Sequence, residues 1–277
     1  MKKLIYVIGI VALLSSRIAS ANAVFHDAME QVNSSFAAGF NFMRFNYVED
    51  VRDAARDLDR IPPPGDVKNY GNAYGLMIQF RNLFYEWLHT EIAGEYATGK
   101  IKYDGYHQYT YEVRKYKKAQ HFFNVDTKLG VLVFTSKYFQ VIPYVGFGYH
   151  YWGASPNYNY SHYKPIVGGK LNFSFYDTLV LSPYVNVGKT LAARAKAKLY
   201  NRDGNFVNDV KYKLGGKNIQ EFGLELNYRL DNEIFFTAMV SHTHFEYGKS
   251  GIVQSSIEPS SETNELRIGI GIRIGFR

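Results

Sequence analysis

Leu266-Arg267-Ile268-Gly269-Ile270-Gly271-Ile272-Arg273-Ile274-Gly275-Phe276 ends one residue before the last position of the chain. Every even position is large and apolar, and every odd position is Arg or Gly. Successive side chains of a strand point to opposite faces, so this stretch has one oily face and one polar or empty face. A helix does not fit. At about 100° per residue the isoleucines would scatter around its axis.

Moving outward from that segment, the same alternation recurs. Ile234, Phe236, Ala238 and Val240 alternate with Phe235, Thr237, Met239 and Ser241; Phe222, Leu224, Leu226 and Tyr228 alternate with Glu221, Gly223, Glu225 and Asn227. Leu179, Leu181, Val185 and Val187 are spaced by Val180, Ser182, Asn186 and Gly188, and Leu171, Phe173 and Phe175 by Lys170, Asn172 and Ser174. Phe139, Val141, Val145, Phe147 and Tyr149 form a further row, and weaker alternation covers residues 36–47, 70–80, 84–96 and 122–134. Ten strands are predicted. Short turns are expected near Arg81-Asn82, Ser136-Lys137, Asp177-Thr178 and Asp231-Asn232. Long polar segments are expected at residues 48–69, 99–120, 152–163, 201–208 and 248–262.

Short turns at one end and long loops at the other mark an up-and-down transmembrane barrel. The expectation is an all-β, antiparallel barrel of ten strands, with eight as the alternative. In a soluble barrel the bulky residues would fill the interior. A ten-stranded lumen cannot hold ten columns of Phe, Leu and Ile, but it can hold glycine and a charged network, so the bulky face is expected to meet lipid. Tyr85, Trp87, Tyr96, Tyr138, Tyr149, Tyr151, Trp152 and Tyr176 cluster near strand ends, where interfacial girdles sit. Pro143 and Pro183 lie inside strands, so a bulge or a lost ladder bond is expected at each. Lys189, on the outward phase, is expected above the apolar band.

The composition agrees. Among 277 residues, 46% are hydrophobic and 17% aromatic, too rich for a disordered chain. There is no Cys, which removes disulfides, thiolate metal sites and cysteine nucleophiles. Beyond the N-terminus the longest apolar run, residues 129–134, is far short of the roughly 20 residues a spanning helix needs. Residues 1–23 read as a signal peptide: Lys2 and Lys3, an apolar stretch at residues 4–14, and an Ala21-Asn22-Ala23 cleavage site. The barrel domain would then occupy residues 24–277, and loss of Lys2, Lys3 and Arg17 would lower the formal charge from +7 to +4.

Ile142-Pro143-Tyr144-Val145-Gly146-Phe147-Gly148 and Ser182-Pro183-Tyr184-Val185-Asn186-Val187-Gly188 are near-repeats. They resemble the strands of opacity-type and OmpA-type outer-membrane β-barrel proteins. Gly271, Ile274 and Phe276 are similar to the C-terminal signal that the barrel-assembly machinery reads in that superfamily, although Arg277 follows the aromatic and Gly269 stands where a polar residue is usual. The resemblance implies insertion into a Gram-negative outer membrane, with lipid and lipopolysaccharide as neighbours. It implies no specific activity.

Several constellations carry chemistry. The inward phase holds Arg81, His89, Glu91, Glu95, Asp126, Lys128, Lys170, Glu221, Glu225, Arg229, Glu265, Arg267 and Arg273. These could form the eyelet of a narrow pore or a plug of ion pairs. Residues 100–118 carry Lys100, Lys102, Arg114, Lys115, Lys117 and Lys118 among tyrosines, a pattern suited to anionic host glycans or to lipid phosphates. Export argues against nucleic acid. His242, His244 and Glu246 share a strand face on the lipid phase, which favours an interfacial role over a metal site. Val51, Ala54, Ala55, Leu58 and Ile61 have helical spacing before Pro62. Ten-stranded outer-membrane proteases carry acids and a His at the rim; here Asp57 and Asp59 are present without an Asp-x-His pair in later strands. The chain is therefore read as a surface-exposed barrel without enzymatic activity, cofactor or metal, acting as a narrow pore or a structural surface antigen. An adhesin is the alternative, and a rim-site hydrolase a third reading.

Overall fold

The computed structural model describes residues 28–57, 65–106, 112–155, 158–200, 206–254 and 256–276. The signal segment at residues 1–23, and Leu58, Asp59, Ile61, Pro62 and Arg277, lie outside the described residues. Helix α1 (Ala28–Asn33) precedes strand β1 (Ser35–Asp50) and helix α2 (Val51–Asp57). Then follow β2 (Val67–Phe84), β3 (Leu88–Tyr106), β4 (Val113–Val131), the two-residue β5 (Phe134–Thr135), β6 (Phe139–Ser155), β7 (Tyr158–Phe175) and β8 (Leu179–Lys189). The chain ends with β9 (Leu191–Tyr200), β10 (Phe206–Lys213), β11 (Gly215–Arg229), β12 (Ile234–Gly248) and β13 (Ser260–Gly275).

Ten strands, in the order β1–β2–β3–β4–β6–β7–β8–β11–β12–β13, form one antiparallel sheet. It closes on itself where β13 pairs β1 from Ser35↔Gly275 to Asp50↔Ser260. Closure leaves no edge strand within lipid, as a bilayer requires. The isoleucines of β13 settle the polarity of the wall. Ile268, Ile270 and Ile272 are 44%, 51% and 44% exposed on the outside, whereas Arg267 and Arg273 on the opposite face are buried. Phe40, Leu76, Ile78, Leu129, Val145, Phe147, Val167, Val187, Phe222 and Val240 continue the apolar belt around the barrel. Tyr85, Trp87, Tyr138 and Tyr176 ring its lower end, at the short turns.

Three details differ from the sequence reading. The first short turn lies at Tyr85-Glu86, not Arg81-Asn82, which are buried inside β2. Tyr85 and Glu86 (φ 53° and 64°), like Tyr176 and Asp177 (φ 54° and 52°), have positive φ at both central positions, the mirror-image turn that suits strand twist. Trp152 is not in the girdle; its even position in β6 points inward and it is 2% exposed. The segments at 99–120 and 152–163 are largely strand, because β3, β4 and β7 extend well above the apolar belt.

Both prolines interrupt a ladder on one side. Opposite Pro143 the pairing passes from Gly130↔Tyr144 in β4 to Phe134↔Val141 in β5, a bulge of one residue. Opposite Pro183 the β7–β8 pairing skips from Lys170↔Tyr184 to Phe173↔Leu181 without changing register. A missing N–H accounts for each. Lys189 is exposed and paired with Asn218 above the belt.

Candidate functional site

Three layers fill the inside of the barrel. The middle one is ionic. Glu91 of β3 receives Arg81 Nε at 2.7 Å, Lys128 Nζ at 2.8 Å and Lys170 Nζ at 3.5 Å. Glu225 of β11 receives both Nη atoms of Arg81, at 2.7 and 2.6 Å, and Arg273 Nη2 at 3.1 Å. Farther from the short turns, Lys164 holds Asp126 at 2.8 Å, while Arg267 reaches Glu95 at 3.4 Å and pairs with Glu265. Tyr184 donates to Glu221 at 2.9 Å. Arg229 sits lower, donating to Gln31 of α1 at 3.0 Å and lying over the Phe235 ring. Six cations (Arg81, Lys128, Lys164, Lys170, Arg267, Arg273) thus share the interior with six carboxylates (Glu91, Glu95, Asp126, Glu221, Glu225, Glu265). Isolated charges would be expensive here; matched ones with shared hydrogen bonds are tolerated. An internal cavity of about 80 Å³ runs between them.

Of the inward charges named from the sequence, all but Arg229 and Glu265 line this cavity, Glu265 being buried beside Arg267 and Arg229 lying lower, and His89 is buried among them. Lys164 is not among the charges expected from the sequence, because it falls between the polar segment at 152–163 and the clear alternation that begins at Lys170. The alternation of Lys164, Ile166 and Gly168 with Pro165 and Val167 was the available signal.

Above the ions lies an aromatic layer. Phe45 packs on Phe122 and Trp152 with ring centres 4.8 and 4.7 Å apart, and Tyr160 stacks on Trp152 at 4.8 Å. Tyr47 meets Trp152 at 4.8 Å, and its hydroxyl lies 2.9 Å from that of Tyr160. Trp152 Nε1 donates to Gln120 at 2.7 Å. His150 and His162 stack beneath, His150 against Asn124 and His162 against the Tyr247 hydroxyl. The β9–β10 hairpin adds Ala193, Ala195, Ala197, Val210 and Tyr212 to the layer. Residues 249–254 and 256–259 fold over it: Glu258 is buried and accepts from Tyr158 and from Tyr160 at 2.6 Å. These aromatics escaped notice because strand-end tyrosines read as girdle; the odd phase of Phe45 and Tyr47, shared with inward Met43, was the signal.

At the mouth beside the short turns α1 lies across the opening and touches β2, β7, β8 and β13. Ala28, Met29 and Val32 pack against Val180 and Phe235. Asn33 donates to Gln140 at 2.8 Å, and Arg273 donates to Ser35 at 2.7 Å.

The remaining candidates lie outside. Lys100, Lys102, Arg114, Lys115, Lys117 and Lys118 are exposed on the β3–β4 hairpin above the belt. Lys115 pairs with Asp104 at 3.1 Å, and Tyr103 stacks on Tyr116 at 4.6 Å. His244 lies 3.0 Å from Asn264 and 3.5 Å from Glu246, and no metal-binding group of three forms among the described residues. Asp57 of α2 pairs with Lys249. Gly271 faces inward against Gly39, where a Cβ would fall on the Ala38 carbonyl; Ile274 faces lipid, and Phe276 packs on Phe80.

No helix among the described residues is long and apolar enough to cross a membrane; the crossing is made by strands. The chain is similar in structure to the outer membrane protease OmpT from Escherichia coli: 8% identity, 88% of this chain and 97% of that one covered, TM-score 0.61. The transport unit of the autotransporter AIDA-I from Escherichia coli follows at 11% identity, covering 87% and 90% of the two chains (TM-score 0.46). The outer membrane protein OprG from Pseudomonas aeruginosa gives 11% identity, 88% and 95%, and a TM-score of 0.40. This chain has the fold of an outer-membrane β-barrel. At 8% identity the OmpT likeness bears on the fold alone. No protein-family model and no curated protein matches the sequence.

Proposed function

We infer that this barrel is a non-conducting, surface-exposed protein of the outer membrane that serves as a scaffold for display rather than as a pore. The observation that carries the reading is the aromatic layer of Phe45, Trp152, Tyr160 and Tyr247, which crosses the lumen above ions already paired with one another. Helix α1 at the other mouth supports it. Planar-bilayer recording is the test. The full barrel should give no steps. Steady conductance whose ion selectivity moves when Arg267 or Glu225 is neutralised would establish the pore instead.

What the scaffold displays is the β3–β4 hairpin. Its stacked Tyr103–Tyr116 pair stiffens a segment whose exposed lysines suit anionic glycans. Removing residues 100–118 should abolish attachment to glycan-coated surfaces while the barrel still folds. Attachment that survives the deletion overturns this part of the reading.

A further inference from the structure

The β9–β10 hairpin has two unlike faces. Ala193, Ala195, Ala197, Val210 and Tyr212 pack into the aromatic layer. Arg194, Lys196 and Lys198 on β9 and Lys211 and Lys213 on β10 are exposed on the other side. In register, Arg194 stands opposite Lys213 and Lys196 opposite Lys211; Asp209 opposite Lys198 is the one acid in the described pairs. Like charges facing each other across a ladder, about 5 Å apart, repel. Among the described residues none of these five cations has an ion pair.

A bulge produces this orientation. Ser161↔Arg194 is followed by Tyr163↔Leu191, so β9 carries one extra residue, and Ala192 there has φ 47°. Without it, the alternation starting at exposed Leu191 would turn Ala193, Ala195 and Ala197 outward and the cations into the aromatic layer. Bulges re-aim side chains in this way.

The height of the face is also set. Leu191 and its partner Tyr163 are 46% and 45% exposed, and Tyr163 packs on the belt residue Phe147 at 5.5 Å. Arg194 faces Ser161, two residues along β7 from Tyr163, about 7 Å farther along the ladder. Tilted as barrel strands are, that is about 5 Å above the top of the belt, at the level of lipid headgroups.

We propose that the outward face of the β9–β10 hairpin binds the phosphate groups of the phosphorylated glycolipid in the surrounding outer leaflet. Paired cations on two neighbouring strands then grip phosphate oxygens between them, and the bound anions relieve their repulsion.

The test uses the full chain refolded in neutral glucoside micelles. Diphosphorylated lipid A is titrated against the same lipid stripped of phosphate, followed by intrinsic fluorescence, with inositol hexakisphosphate as a water-soluble polyanion. The phosphorylated lipid should bind more tightly than the stripped one. Lys196→Gln/Lys211→Gln should weaken it about tenfold or more, and Lys196→Arg/Lys211→Arg should restore it. Equal binding of the two lipids, or unchanged affinity of the Gln variant, overturns the proposal. Inositol hexakisphosphate binding as tightly as lipid A also overturns it and reassigns the face to soluble polyanions. The comparison of lipids needs no variant, so it stands even if the double Gln chain fails to refold.

Discussion

Arg81 of β2 and Glu225 of β11 meet across the barrel axis in a two-pronged ion pair, Nη1 and Nη2 lying 2.7 and 2.6 Å from the two carboxylate oxygens. The strands that carry them are not neighbours in the sheet, so the pair ties opposite walls together. Removing Arg81 leaves Glu225 with Arg273 as its one remaining cation partner and takes one of three cations from Glu91, both carboxylates being buried. Arg81→Met should destabilise the barrel by about 3–5 kcal/mol, while Arg81→Met/Glu225→Met should recover most of the loss. Urea titration of refolded protein checks it. A double variant as unstable as the single would show that the pair is not the unit involved.

The lipid-facing assignment is tested at Ile270, exposed in the middle of the β13 belt. Ile270→Arg should cost about 2–4 kcal/mol in a bilayer. Ile252→Arg, in the exposed segment after β12, should be near neutral. Equal effects at the two positions would contradict a membrane-embedded belt.

Much of this architecture is legible in the sequence because lipid imposes alternation. Ile268, Ile270 and Ile272 show it clearly, and the ten wall strands follow from the same rule. Above the belt that rule lapses. The upper parts of β3 and β4 have water outside, so Lys102, Tyr103, Lys115 and Tyr116 follow no hydrophobic period and read as loop. The aromatic layer was hidden for a related reason. Trp152 and Tyr160 are the residue types expected of a girdle, and phase alone separates inside from outside. In β9 the bulge at Ala192 breaks the count, so the period alone does not show which face of the β9–β10 hairpin turns inward.

Trp152 is the centre of the aromatic layer, with Phe45, Tyr47, Phe122 and Tyr160 around it. Trp152→Ala should cost about 3–5 kcal/mol and shift near-ultraviolet circular dichroism strongly. Trp87→Ala, half exposed at a short turn, should do far less. The comparison fails if the two variants melt together.

Glu49 and Glu258 answer to pH. Burial, then each other's charge, holds the Glu49 carboxyl well above its usual range; burial also raises Glu258. Tyr47, Tyr103, Tyr158, Tyr160 and Ser261 surround the pair, with no cation pairing either acid among the described residues. A carboxyl whose folded value is raised stabilises the fold below the unfolded value and loses that contribution as pH rises through the folded one. Residues 249–254 and 256–259 should therefore be protected from hydrogen exchange in mild acid and open progressively toward alkaline pH. Glu258→Gln should flatten the response. Protection that stays constant from about pH 5 to about pH 9 in the unaltered chain would rule this out.

Helix α1 precedes the first strand yet rests against the last. Its seat, lined by Val180, Phe235 and Arg273, comes into existence once β13 has joined β1. The N-terminal segment is thus the final piece to settle although it is synthesised early. A docked α1 reports a finished barrel, and a protease that cuts near Met29 would distinguish completed molecules from those still open at the seam.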